Sequence, residues 1–193
     1  MTNEPKLAKP GAGLPFIEMA IAKHILFPRW FATLSDEDAC IAYTEESEKI
    51  VKLAQPLSFT QLSERRLIPR LRGLEDSSRY WSIAMTLQHL IIVGDLMRET
   101  ISDLANGKTG MALVGTGDVK PEAAAEPSTI VNKFRDMSEY FVHETSLINT
   151  AACQSAKHPH PWFGPLNPHE WLVVASRHQA IHRKQVEGII ARL

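Results

Sequence analysis

The placement of proline constrains this chain more than any other feature. Pro5, Pro10 and Pro15 crowd the beginning, and then proline is absent from Arg70 to Lys120, from Ser128 to His158 and from His169 to the end. Inside a helix, proline removes a backbone hydrogen bond and clashes with the preceding turn, so these three windows are the ones free to form long helices. A fourth window, Ser35 to Leu53, opens Ser35-Asp36-Glu37-Asp38, a cap residue followed by acids that suit a helix N-terminus. Ahead of it, Ile17, Ile21 and Ile25 recur at helical spacing, and Pro28 is expected to end or kink that piece. No alternating run bounded by hairpin signals stands out and no segment repeats, so the pattern predicts an all-α chain. Its 193 residues and 44% apolar composition suit one domain over residues 1–193, with residues 1–34 as an arm and extra helix.

The longest stretch without helical pattern is Asn106 to Pro127. Its glycines suggest a phosphate loop at Gly110 to Gly117, but Thr116 stands where the phosphate-binding lysine belongs and no strand precedes it. A connection of this length can instead cross the end of a helical bundle. A formal net charge of −1 provides no basic field, so no nucleic-acid partner is expected. The arginines Arg65, Arg66, Arg70 and Arg72 are read as a solvated segment paired with Glu64, Glu75 and Asp76. No apolar run approaches the roughly 18 residues a span requires, no leader is visible, and Cys40 and Cys153 form no paired motif. No membrane association and a cytoplasmic location are the expectations.

Histidine carries the chemistry. At about 100° per residue, Met85, Ile92, Val93 and Leu96 lie within about 60° of His89, whereas Tyr80 and Arg98 lie opposite, so His89 points to the core. On the last helix Trp171, Val174, His182, Gln185 and Ile189 share the face of His178, and Arg183, Lys184 and Glu187 point away. That helix has a well-specified start, with Asn167 as cap, Pro168 in the first position and Glu170 three after the cap. Histidines at i and i+4 place two imidazoles one turn apart, close enough to share an ion. His89 would add a third ligand and leave the remaining positions open, as in catalytic rather than structural zinc sites. The alternative is a hydrogen-bonded polar layer, but three unpartnered buried imidazoles would cost about 1 to 3 kcal/mol each.

These motifs, in order Trp81-Ser82, Gln88-His89-Leu90, His160-Pro161-Trp162-Phe163-Gly164-Pro165-Leu166, Glu170-Trp171 and His178-x-x-x-His182-x-x-Gln185, resemble the DinB-like superfamily of metalloenzymes over roughly Ser35 to the C-terminus. The resemblance implies a four-helix bundle of up-down-down-up topology, with the long crossover between the second and third helices. It implies a divalent metal (zinc, nickel or iron) on His89, His178 and His182, a small-molecule substrate, in some members a low-molecular-weight thiol, and homodimerisation. Hydrolysis and thiol-dependent transfer or isomerisation are the two reaction classes that follow; the contrasting reading is a non-catalytic binding or dimerisation bundle. Zincin chemistry is excluded because His169-Glu170 and His143-Glu144 are followed by Val173 and Leu147 where a second histidine belongs. Ergothioneine-type relatives carry a glutamate where this chain has Lys184, so that activity is not expected.

Two further polar residues are catalytic candidates. Gln185 lies one turn beyond His182 and either orients a ligand or is a satisfied core amide. Glu144, at the edge of the Phe134, Met137, Phe141 and Ile148 face, is either a general base or a boundary carboxylate. His143 is expected to face solvent. His158, His160 and His169 flank a proline-rich turn and are read by default as loop histidines, with a polar rim to the cavity as the alternative; Trp162 and Phe163 are expected to pack over the bundle end.

Overall fold

In the computed structural model, which describes residues 4–122 and 126–193, each long proline-free window becomes a helix with a chemically defined start. Helix α3 (Asp36–Ala54) follows α1 (Phe16–Ile21) and α2 (Phe27–Thr33); α4 (Phe59–Ser63) is a short connector, and α5 (Ile83–Ala105), α6 (Pro127–Ser146) and α7 (Pro168–Ile190) complete the set. Ser35 caps α3 through the Asp38 N–H at 3.0 Å, and Asp38 accepts the Ser35 N–H in return. Asn167 and Glu170 make the same reciprocal pair at α7, at 2.9 and 2.8 Å, while the Ser82 hydroxyl accepts the Met85 N–H at the start of α5. Each bond satisfies a donor that the helix itself leaves unpaired.

Helices α3, α5, α6 and α7 form a four-helix bundle in which α3 and α5 are each flanked by α6 and α7. Named pairs fix the directions. Asp36 meets His169 and Glu46 meets Arg183, so α3 and α7 run parallel. A Cβ on Gly94 would strike Met137, and Arg98 lies over Tyr140, so α5 and α6 run parallel as well. Cys40 meets Thr145 and Gln55 meets Arg135, which sets α6 antiparallel to α3. The order is up-down-down-up. Parallel neighbours cannot be joined by a tight turn, and residues 106–126 supply the necessary crossover, with 123–125 lying outside the described residues.

Between the helices lies an apolar core containing Ile50, Leu87, Leu90, Phe134, Phe141 and Leu172, with Tyr43 stacked on Phe141 at 4.1 Å. Absence of a side chain at Gly94 lets Met137 and Tyr43 approach α5. The N-terminal extension departs from the expectation for Pro28. The chain stays helical from Phe16 to Thr33, passing through a π turn at Ala22–Leu26. The wider turn sits where Pro28 would otherwise demand an N–H and clash with the carbonyl four residues back. This extension docks beside the starts of α3 and α7: Phe27 meets Phe163 at 4.3 Å, and Arg177 lies over Trp30 at 4.7 Å.

Two strand ladders, β1 (Arg66–Leu67) with β2 (Tyr80–Trp81) and β3 (His158–His160) with β4 (Gly164–Leu166), were not expected. Both are antiparallel and only two or three residues long, too short to show a period of two. Their effect is positional, since one ladder delivers Trp81 to the start of α5 and the other delivers His158 and His160 to the start of α7. Tyr80 therefore belongs to a strand, not to the outer face of α5. No helix among the described residues is long and apolar enough to cross a membrane.

Candidate metal centre

Helices α5 and α7 bring His89, His178 and His182 together, with one ring nitrogen from each inside a 4.8 Å cluster. The Nε2 of His178 lies 3.2 Å from that of His89 and 3.1 Å from that of His182. His89 and His182 are buried; His178 is half-buried. Trp81 closes one side, its ring parallel to His182 at 6.3 Å and tilted against His89 at 5.2 Å.

The hydrogen bonds behind the rings decide which nitrogens carry protons. His89 Nδ1 faces the Val119 carbonyl at 2.8 Å, which can only accept, so Nδ1 holds the hydrogen. The Gln185 Nε2 donates to the Ser78 carbonyl at 2.7 Å, which turns Gln185 Oε1 toward His182 Nδ1 at 2.6 Å. His182 Nδ1 must therefore donate too. In the neutral rings, Nε2 of His89 and Nε2 of His182 are bare lone pairs, both aimed at His178 Nε2. One hydrogen on His178 Nε2 can satisfy at most one of them.

Protons are a poor remedy for the surplus. Burial pulls the His89 imidazole down to about 4, against the opposing pull of the Val119 carbonyl. Burial and mutual repulsion hold His178 and His182 well below the ordinary histidine range. A cation shared by the three rings would satisfy all the lone pairs at once. Two nitrogens each about 2.0–2.1 Å from one ion lie about 2.9 Å apart at a right angle and about 3.4 Å apart at the tetrahedral angle. The observed 3.1 and 3.2 Å fall between these limits. Nδ1–H donation to a carbonyl behind the ring is also the usual support for a metal-binding imidazole. The donor set fits a divalent ion.

The trio opens on a cavity of about 340 Å³, bounded by Trp81, Trp162 and Trp171, by Val93 and Met97 of α5, and by the crossover. The crossover is tied down over α5 at two adjacent positions: Val119 on His89, and the Glu122 N–H on Gln88 Oε1 at 2.8 Å.

Other candidate residues fall where the packing sends them. Gln185 is fully buried between His182 and Ser78 and does not line the cavity, so it positions a ring and touches no substrate space. Glu144, the other catalytic candidate, does not line the cavity. Arg98 of α5 is level with Tyr140, placing Glu144 more than two turns, or about 13 Å or more, along the bundle from His89. His143 faces solvent as expected. The default reading of the loop histidines also changes, because His158 and His160 line the cavity. His160 is held against Phe163 at 4.6 Å and driven to about 3 by burial. Trp162, expected over the bundle end, joins the cavity wall, whereas Phe163 packs against Phe27 of the N-terminal extension. His169 belongs to the first turn of α7, bonded to Asp36 Oδ1 at 2.6 Å and to the Phe31 carbonyl at 3.1 Å. Of the basic segment, Arg66 pairs with Glu64 as expected, but Arg65 and Arg70 reach Glu4 and Glu18 of the N-terminal arm. Sequence reasoning missed the Val119 and Ser78 carbonyls, because a backbone acceptor carries no side-chain signature.

Fold and cluster together define a class: four-helix bundles in which helices from opposite sides of the chain meet at a three-histidine cluster beside a cavity. Residues 27–186 match the profile of the DinB superfamily, and the chain belongs to that superfamily. Its fold is also similar to the crystal structure of TT2238, a four-helix bundle protein, with a TM-score of 0.57 at 20% identity over 79% of this chain and 98% of that one. No curated protein matches the sequence significantly.

Proposed function

We propose that this protein is a metal-dependent enzyme that acts on a small molecule, with a divalent ion held by His89, His178 and His182. The observation that carries the reading is the convergence of three Nε2 atoms, two of them locked as acceptors, at the floor of a cavity large enough for a small ligand. When bound, the ion would supply Lewis acidity, letting an oxygen or sulfur nucleophile lose its proton near neutral pH. Both hydrolysis and thiol-dependent transfer or isomerisation use that property.

The chain's own residues prepare the site. Val119 and Gln185 hold two rings in the tautomer that presents Nε2, so no proton has to leave either nitrogen before coordination. Trp81 packs against His89 and His182, both buried, which strengthens electrostatic interactions at those rings. Cys40 is buried beside Thr145, and burial raises its thiol, so it serves packing and not nucleophilic attack. A thiol partner, where the reaction uses one, comes from solution.

Metal analysis tests the reading. Protein purified in zinc-containing buffer and then desalted is expected to retain about one ion per chain, and the His89→Ala and His182→Ala variants to retain none while remaining helical. Wild-type protein that holds no stoichiometric zinc, nickel or iron under these conditions overturns it.

A further inference from the structure

The cavity above the trio has an unusual chemical balance. Val93 and Met97, one and two turns beyond His89, line one side, Met111 adds to it from the crossover, and Trp162 lines another side. The carboxylates that reach its wall are engaged within the protein: Glu75 accepts the Gly13 N–H at 2.8 Å and the Ser77 hydroxyl at 2.7 Å, Asp103 pairs with Lys108 at 2.7 Å, and Glu99 meets Arg98 at 3.5 Å. Lys120 and the Trp162 indole also bring donors to this wall without an acceptor among the described residues, but His160 is set apart by bonding that assigns its hydrogen to one nitrogen of a ring held in place. Its Nδ1 accepts the Trp162 backbone N–H at 3.2 Å, so the hydrogen of the neutral ring sits on Nε2. That N–H has no acceptor among the described residues. Stacking on Phe163 and contact with Trp171 at 5.2 Å hold the ring in place.

We propose that the cavity takes a small molecule with a planar apolar body and one oxygen acceptor group, the body against Trp162 and the Val93–Met97 wall and the oxygen accepting the His160 Nε2–H. This rests on the proposed function in treating the trio's cavity as the substrate site. An unpaired donor in an apolar wall favours a ligand that brings one matched acceptor and penalises one that brings none. The apolar wall favours a ring or flat chain over a compact polar group. His160 thus selects for the oxygen and the tryptophan for the body.

Benzoate and acetate share a carboxylate and differ in the phenyl ring, which makes them a matched pair of probes. Titrated by calorimetry into zinc-treated protein, benzoate is expected to bind at least about tenfold more tightly than acetate. His160→Phe should weaken both by about three- to tenfold, with partial recovery in His160→Gln, which retains an N–H. Trp162→Ala should lower benzoate affinity alone. Equal affinity of the two probes, or wild-type binding by His160→Phe, overturns the inference. Zinc content measured on the same samples separates the two readings. Zinc binding without benzoate preference sinks only the ligand class, and benzoate preference with His160-dependent binding in protein that holds no zinc sinks only the metal.

Discussion

Helix α7 carries two histidine stations whose surroundings are opposite. At its start, both nitrogens of His169 face acceptors, Asp36 Oδ1 and the Phe31 carbonyl, and Thr150 donates to the other Asp36 oxygen at 2.5 Å. Bonding both acceptors requires both N–H groups, so the imidazolium is the fitting form, and the Asp36 bond raises the His169 titration. Further along, His178 and His182 have no carboxylate in their cluster, and burial depresses both. The first station ties the N-terminal extension and the start of α3 to α7 using charge already present. The second concentrates lone pairs that a shared cation would satisfy. One residue type on one helix thus forms a staple at one place and a cluster able to hold a metal at another, and the partner atoms decide which.

The largest expected effect separates the stations by metal content. His182→Ala should abolish retained zinc, measured by elemental analysis, while His169→Gln should leave it at the wild-type level. A loss of metal in His169→Gln would break the distinction. The next effect concerns the atoms behind the ligands. Gln185→Leu keeps all three imidazoles but frees the His182 ring and strands the Ser78 carbonyl. Competition with a chelator should show zinc affinity about 10- to 100-fold weaker; unchanged affinity would mean that Gln185 is only a packed core amide.

Acid and base should act on the two stations in opposite directions. A histidine whose folded pKa is raised stabilises fully below its unfolded value near 6.5 and loses that contribution as pH rises through the folded value. Burial opposes the shift at Asp36, but its bonds to His169 and Thr150 win and hold the carboxylate low, so its share is lost only as pH falls through that lowered value. The staple is therefore strongest between the two titrations. The metal-free trio has depressed values and loses stability as pH falls below about 6.5. Denaturant unfolding of metal-free protein should show His169→Gln costing about 1 to 2 kcal/mol at pH 6 and less at pH 8.5. A cost that grows with pH contradicts the charged staple. The smallest effect is expected for Glu144→Gln, whose carboxylate makes no hydrogen bond or ion pair with the described residues and does not line the cavity: unchanged zinc content and a stability change within about 0.5 kcal/mol. A loss of metal there would restore Glu144 to the site.

Much of this architecture was legible from side-chain chemistry. The caps at Ser35 and Asn167 announce themselves because their acceptors lie three residues from a matching partner, and His89, His178 and His182 reveal their faces through apolar neighbours at helical spacing. The length of the 106–126 segment pointed to a crossover because parallel neighbours need one. What stayed hidden depends on contacts distant in sequence or on backbone atoms. His169 could not be told from a loop histidine without knowing that Asp36 stands beside it, and His160 gained its role from a three-residue ladder and the Trp162 amide. Glu144 looked eligible by face alone, and a helical wheel carries no information on whether it reaches the cavity wall, which it does not. Pro28 misled because a π turn absorbs what a regular helix cannot.

The central claim is that the three Nε2 atoms share one cation. Crystals of the zinc-treated protein, with diffraction recorded on both sides of the zinc absorption edge, test it most directly. The account predicts one dominant anomalous peak about 2.0–2.1 Å from each of the Nε2 atoms of His89, His178 and His182. No peak among the three rings, or the dominant peak lying on other residues, would contradict it.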